Sequence, residues 1–355
     1  MKAHLMIKMQ KFLTCVLFSL FLDINCSDET LIEAAKSGNS VEVESQLNQG
    51  ANIEAHDLEG YTSLMHASRE GRLHIVRLLL KRGAKPKMTY NYTEKSSHTA
   101  LLCASTRLTP EHNEIARLLL ENGADANQVN FCNNTALMQA AYKGNVLLVQ
   151  MLLEHKAKVK MEDAYKRTAL SYASNRAVAE TLFRHGEDDI NHVDCTGNTP
   201  LNQAVIDGNI ELIRFFLENG ANIDYIHSDE HTALGMAIYG KNIEIATLLL
   251  ERGANPNIGY PPLSRAAYQG NKELVLLLLK YKASIDLQDA KKRTALIYAA
   301  AFGQEEVVEI LLGRGADTTI RDKNNKTALD CARNDKIRQL LIDYDNSHKQ
   351  NEGNL

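Results

Sequence analysis

The residues of this 355-residue chain best suited to chemistry are its histidines, its clustered carboxylates and its cysteines. In "HSDEH", His227 and His231 stand four apart around Asp229 and Glu230. On a helix that spacing would put both imidazoles on one face, a zinc-holding arrangement. The phase of the surrounding sequence places the segment in a loop instead, so these side chains are read as structural or solvent-facing. His66 and His74, eight apart in "GYTSLMHASREGRLHIVRLLLKRGA" (Gly60 to Ala84), fall on different helices and do not form a ligand pair. Glu187, Asp188 and Asp189 could supply a general acid and base, but no apolar run around them implies a pocket, and a solvated acidic turn is the better reading.

Cys15, Cys26, Cys103, Cys132, Cys195 and Cys331 form no CxxC pair and no short even spacing, so free thiols are expected, with neither a zinc knuckle nor a disulfide framework. No Gly-rich phosphate loop, GxSxG elbow or HExxH helix occurs. The reading is therefore no enzyme, no cofactor and no metal. The alternative, an enzyme whose site is spread over several repeats, is the least favoured. Formal net charge is −4 with both signs interspersed, which speaks against nucleic acid as a partner.

The elements that would position these side chains are repeats. Gly60–Ala84, "GNTPLNQAVIDGNIELIRFFLENGA" (Gly197–Ala221) and "KRTALIYAAAFGQEEVVEILLGRGA" (Lys292–Ala316) superpose without a gap. Each starts Thr-x-Leu, has Ala three residues later and Gly four further on, then an apolar stripe and a closing Gly-Ala. Other starts fall at Thr99, Thr135, Thr168, Thr232 and Thr327. Physically, each Thr hydroxyl is placed to cap a first helix. The mid-unit Gly permits a reversal, and Ile75, Val76, Leu79 and Leu80 supply a buried stripe on the second helix. Neither helix can bury its face alone, so neighbours must stack. The leucine runs at 78–80, 118–120 and 248–250 are flanked by charges and are read as core.

These residues resemble the ankyrin repeat, whose pattern is close to Asp-x-x-Gly-x-Thr-Pro-Leu-His-x-Ala-Ala, with Asp194–Asp224 the fullest match. The resemblance implies an all-α solenoid of stacked helix-turn-helix units joined by β-hairpin loops. Ten units are expected across 28–345, counting a degenerate first one (Thr30–Ile53) and last one (Lys326–Asp345) as caps, with a disordered polar tail at 346–355. Four places break the phase, at 88–98, 105–113, 174–176 and 258–262.

It also implies a non-catalytic scaffold that binds a protein partner through a concave groove and hairpin tips. By phase, the groove residues are Arg69, Glu70, Tyr142, Lys143, Ile206, Asp207, Tyr239, Tyr268 and Phe302, with Tyr61, Phe131, Asn134, Arg167, Asn198 and Arg293 on the hairpins. The aromatic row Tyr142, Tyr239, Tyr268 and Phe302 contains residue types that dominate interface energetics. The competing reading is that these rings only pack between neighbouring first helices. A monomer is expected.

The first residues carry Lys2, Lys8 and Lys11, then an apolar run from Phe12 to Leu22, then Asp23. Basic, apolar and polar in that order is the layout of a secretory signal. The run is short for a membrane span of about 20 residues. "LDINCS" resembles a relaxed lipoprotein box, with Cys26 as the acylated residue and a possible membrane tether. Residues 1–26 are thus expected to export the chain, to a periplasmic, secreted or membrane-anchored location. A start at Met6 or Met9 would leave it cytoplasmic, and a host-directed effector would carry the same array. Sequons occur at Asn91, Asn133 and Asn325.

Overall fold

A computed structural model describes residues 27–88, 90–91, 97–186 and 189–352. The leader with Cys15 and Cys26, and the carboxylates Glu187 and Asp188, lie outside the described residues. The chain divides into two compact units, Met1–Asp188 and Asp189–Leu355. Within each, five helical pairs follow one another.

In the first unit the pairs are 27–37 with Ser40–Asn48, Ser63–Arg69 with Leu73–Lys81, Ala100–Ala104 with Pro110–Glu121, Ala136–Lys143 with Val146–Glu154, and a 3-10 turn Leu170–Tyr172 with Arg176–Arg184. In the second they are Pro200–Ile206 with Ile210–Glu218, Ala233–Tyr239 with Ile243–Glu251, Pro262–Gln269 with Lys272–Lys280, Ala295–Phe302 with Glu305–Gly313, and Ala328–Cys331 with Asp335–Glu352. The ten expected repeats are present, five in each unit, and each unit is an all-α stack.

Threonine decides where the first helices begin. The hydroxyls of Thr62, Thr99, Thr135, Thr199, Thr232, Thr294 and Thr327 each accept the N–H three residues on. Asparagine does the same for the second helices, at Asn39, Asn145, Asn175, Asn209, Asn242 and Asn271. An extended capping residue with a short polar side chain satisfies an otherwise orphaned donor. Ile75, Val76 and Leu79 are fully buried as the stripe requires, while Leu80 is only half-buried. In the cap helix Ser40–Asn48 only Val43 is buried, which leaves a polar outer face.

The connecting loops are tighter than the expected β-hairpins. Among the described residues the one ladder pairs Tyr90–Asn91 with Ser97–His98, with isolated bridges His56–Thr62 and Val129–Thr135. Elsewhere the loop is a five-residue turn closed from both sides: Asp163 N–H bonds the Arg167 carbonyl and Lys166 N–H the Asp163 carbonyl, as Asp289 N–H and Lys292 N–H do with the Arg293 and Asp289 carbonyls. The fourth residue of this turn is left-handed. Gly60 and Gly197 fill it in two loops, whereas Lys166, Glu230 and Lys292 occupy it with φ of 57°, 66° and 57°, at a steric cost of roughly 1–2 kcal/mol each.

The four phase breaks each have a packing account. Within the insertion at 88–98, the described residues Tyr90–Asn91 and Ser97–His98 form the two-stranded ladder. That at 105–113 lengthens the second helix to Pro110–Glu121 and lets His112 Nε2 meet the Arg69 carbonyl at 3.0 Å. The deletion at 174–176 shortens a first helix to the 3-10 turn and leaves Thr168 Oγ1 buried without a partner. At 258–262 the loop is replaced by Tyr260 N–H bonding the Glu230 carbonyl at 2.7 Å, and Pro262 starts the next helix.

The C-terminus differs from its expectation. The last helix runs from Asp335 to Glu352, so 346–352 of the tail is helical. Ile337 and Leu341 are fully buried and nucleate it. Propagation then adds residues without a glycine or proline until Gly353. No helix among the described residues is long and apolar enough to cross a membrane.

Candidate functional site

The loop and the first helix of a repeat are joined by a polar slot. Five residues before the threonine that opens the repeat stands Asp57, Asn130, Asp163, Asp194, Asp289 or Asp322, and one of its side-chain oxygens accepts two loop N–H groups, two and four residues on. In three repeats the second oxygen is met by the residue four past the threonine: His66 Nε2 at 2.7 Å from Asp57, Tyr172 at 2.6 Å from Asp163, and Tyr298 at 2.8 Å from Asp289. Hence His66, which had no assigned role in the sequence, ties its loop to its helix.

Arg167 and Arg293 each add two hydrogen bonds to that same oxygen. Their guanidiniums also cover Tyr172 at 4.5 Å and Tyr298 at 4.2 Å. Burial alone would raise the carboxyls of Asp57, Asp163 and Asp289; the hydrogen bonds outweigh it and hold all three below the ordinary carboxylate value. Burial, together with the bonds to Asp289 and Tyr260, pushes the Tyr298 phenol up, so it stays a donor. Arg293, assigned to the binding surface by phase, therefore spends its Nε and Nη2 on its own loop.

In the first unit Tyr61 is half-buried, stacked on His98 at 4.2 Å with its hydroxyl 3.3 Å from Nδ1. Arg69 lies 5.5 Å from the Tyr61 ring, and Glu70 pairs with Arg107 at 3.5 Å. Tyr61, Arg69, His98 and Arg107 line a cavity of about 390 Å³ whose wall also includes Cys103. Burial, with the nearby Arg69 charge, lowers His98; burial pushes the Cys103 thiol up to about 12, which keeps it protonated and unreactive. Phe131 and Tyr142 are exposed, Tyr142 with its edge to Tyr172 at 6.4 Å and Lys143 5.3 Å from its ring.

The second unit assembles a longer surface. Ile206, Asp207, His227, His231 and Tyr239 line a cavity of about 720 Å³. Arg265, which the phase argument passed over, lies over the Tyr239 ring at 4.2 Å and is 5.7 Å from that of Tyr268. Tyr268 meets Phe302 edge-on at 4.4 Å. The rings thus pack on one another and still remain exposed: 59% for Tyr239, 38% for Tyr268 and 41% for Phe302. The rings therefore do pack between neighbouring first helices, but not to the exclusion of solvent. Tyr142 lies in the other unit and has its own neighbours.

His227 Nδ1 is 2.6 Å from Asp229 in the loop, and among the described residues no group of three or more His, Cys, Asp or Glu side chains could hold a metal ion. Cys103, Cys132, Cys195 and Cys331 are free. The polar slot and Arg265 were missed by phase alone. The slot had a legible signal, since Asp or Asn recurs five before, and His or Tyr four after, the threonine that opens the repeat.

Comparison with known proteins agrees with this geometry. The family description "Ankyrin repeats (3 copies)" matches residues 5–90, 31–130, 106–194, 177–260 and 263–352. Ankyrin repeat protein nuc-2 of Neurospora crassa is 32% identical over 203 residues, covering 56% of this chain and 18% of that protein. A putative ankyrin repeat protein of fowlpox virus, FPV031, is 29% identical over 176 residues, 47% of this chain and 50% of that one. The chain therefore spans half or less of the length of these relatives. The crystal structure of the ankyrin repeat domain of Bcl-3 aligns with a TM-score of 0.54 at 25% identity, over 59% of this chain and 98% of that one.

Proposed function

Because the chain belongs to the ankyrin repeat family, a fold of protein–protein interaction domains, we propose that it is a non-catalytic scaffold that holds a protein partner against the exposed first-helix and loop residues. The observation that carries this reading is the second unit's ladder of Tyr239, Arg265, Tyr268 and Phe302, which is packed yet solvent-facing. Rings already held by neighbours lose little entropy on binding, and aromatic side chains are the usual anchors of an interface. Ile206 and Asp207 extend the surface in the second unit; Tyr61, Arg69, Glu70, Phe131, Tyr142 and Lys143 form the corresponding surface in the first. The chain acts as a monomer in this reading.

The test uses the partner recovered from the native source by crosslinking. Tyr239→Ala combined with Phe302→Ala is expected to weaken that partner's binding by about tenfold or more. Lys272→Ala with Glu306→Ala, on the second helices, should leave it unchanged. Equal retention by both double variants would remove the groove from the account.

The same proposal places the scaffold outside the cytoplasm, on the strength of the basic, apolar and polar order in residues 1–26. Intact mass of the native chain should lack those residues; added acyl mass on Cys26 would mean a membrane-tethered lipoprotein presenting the same groove. A full-length or Met9-started chain in the cytosol would end the export reading.

A further inference from the structure

Beyond the aromatic ladder, the loops at the C-terminal end of the second unit carry an excess of positive charge. Lys282, Lys291, Lys292 and Arg293 stand against Asp286 and Asp289 in one loop, and Arg314, Arg321, Lys323 and Lys326 against Asp317 and Asp322 in the next, with Arg321 also 3.9 Å from Asp330. The carboxylates are engaged within the loops: Asp289 by Arg293, Tyr298 and two N–H groups, Asp322 by the N–H groups of Asn324 and Lys326, Asp286 by the Asp317 N–H, and Asp317 by the N–H and hydroxyl of Thr319. The lysines are left pointing into solvent, and none of Lys291, Lys292, Lys323 and Lys326 forms a salt bridge among the described residues. The two loops are adjacent, since Lys323 N–H donates to the Lys291 carbonyl at 3.0 Å.

Arg265 adds a cation of a different kind. Its guanidinium carbon lies over the Tyr239 ring at 4.2 Å, its Nε is buried without a hydrogen-bond partner, and it enters no salt bridge among the described residues. A planar guanidinium held by a ring and lacking an anion is preorganised for two parallel bonds to a carboxylate. Arg293, Tyr298, Phe302, Tyr268, Arg265 and Tyr239 follow one another at contact distances, which joins the lysine loops to the apolar ladder.

We propose that this surface docks an acidic segment of a partner protein, with a carboxylate on Arg265, apolar or aromatic side chains against Tyr239, Tyr268 and Phe302, and further carboxylates over Lys291 and Lys323. The inference rests on the second unit's groove being a protein-binding surface and specifies the partner's chemistry. Charge complementarity selects the acidic segment. The exposed rings and the partly apolar cavity beside Ile206 select a segment that also carries apolar residues.

The experiment selects random peptides displayed on phage against the full chain, then measures the enriched sequences as fluorescein-labelled peptides by anisotropy. Enriched peptides are expected to combine Asp or Glu with an aromatic or aliphatic residue. Their affinity should fall about tenfold for Arg265→Gln and for the Lys291→Glu, Lys323→Glu pair, and fall with added salt, while Lys272→Glu has no effect. The lysine pair is exposed, so it reports even if Arg265→Gln perturbs folding. Enriched peptides that are neutral or basic, or acidic ones indifferent to both variants, overturn this inference and leave the groove reading standing. No enrichment at all counts against both. A fluorescein-labelled single-stranded oligonucleotide that binds with the same lysine dependence and displaces the peptides overturns it in favour of nucleic acid.

Discussion

Asp289→Ala is expected to lower the unfolding free energy of the second unit by about 3–5 kcal/mol, the cost of removing one partner of a buried ion pair. The Asp289 side chain is 3% exposed and serves five donors: two backbone N–H groups, two guanidinium nitrogens and the Tyr298 hydroxyl. Alanine strands them all, beside a Tyr260–Tyr298 hydroxyl pair at 2.8 Å that has lost its terminal acceptor. Urea unfolding of wild type and variant measures the difference; a loss under about 1 kcal/mol would place the pair in the weak class of exposed salt bridges.

A pH dependence follows from the same cluster. Asp57, Asp163 and Asp289 have folded-state values below the unfolded 3.8. Their contribution is fully present above the unfolded value and is lost as pH falls through the lower folded values. Wild-type stability should drop steeply below about pH 4, and Asp289→Ala should show a shallower drop over that range, because one acid-sensitive contribution is already gone. A rise in stability on acidification would contradict the assignment.

Asn202→Leu is expected to stabilise the second unit by about 2 kcal/mol, from replacing buried unpaired polar atoms with methyl groups. Asn202 is fully buried, and neither Oδ1 nor Nδ2 has a hydrogen-bond partner among the described residues. The corresponding position, three past the capping threonine, holds Met65, Leu102, Met138 and Ile297 in other repeats, all buried. Leucine has the same branching and heavy-atom count as asparagine, so overpacking strain is small. The urea midpoint should rise with an unchanged slope. A fall would show that this buried position requires the amide.

Local chemistry was legible because it acts through neighbours in the chain. Thr294 three residues before the Ile297 N–H it caps, or Asn271 before Leu274, needs no partner from elsewhere. The polar slot was equally local, with Asp289, Arg293 and Tyr298 within nine residues, but its meaning depended on the carboxylate being buried, which only packing decides. Residues 346–352 were misjudged from polarity alone, since helix propagation from Ile337 and Leu341 outweighs a polar composition.

The sequence by itself determined the repeat, its ten copies, the capping residues and the apolar stripes, because each follows from spacing along a chain whose helices must stack to bury a face. Only the tertiary structure decided how side chains from different repeats meet. It laid Arg265 on Tyr239 across 26 positions, set Tyr268 against Phe302 across 34, and put Lys323 beside Lys291. Such contacts depend on the superposition of neighbouring units, a relation between surfaces that no spacing within one unit encodes.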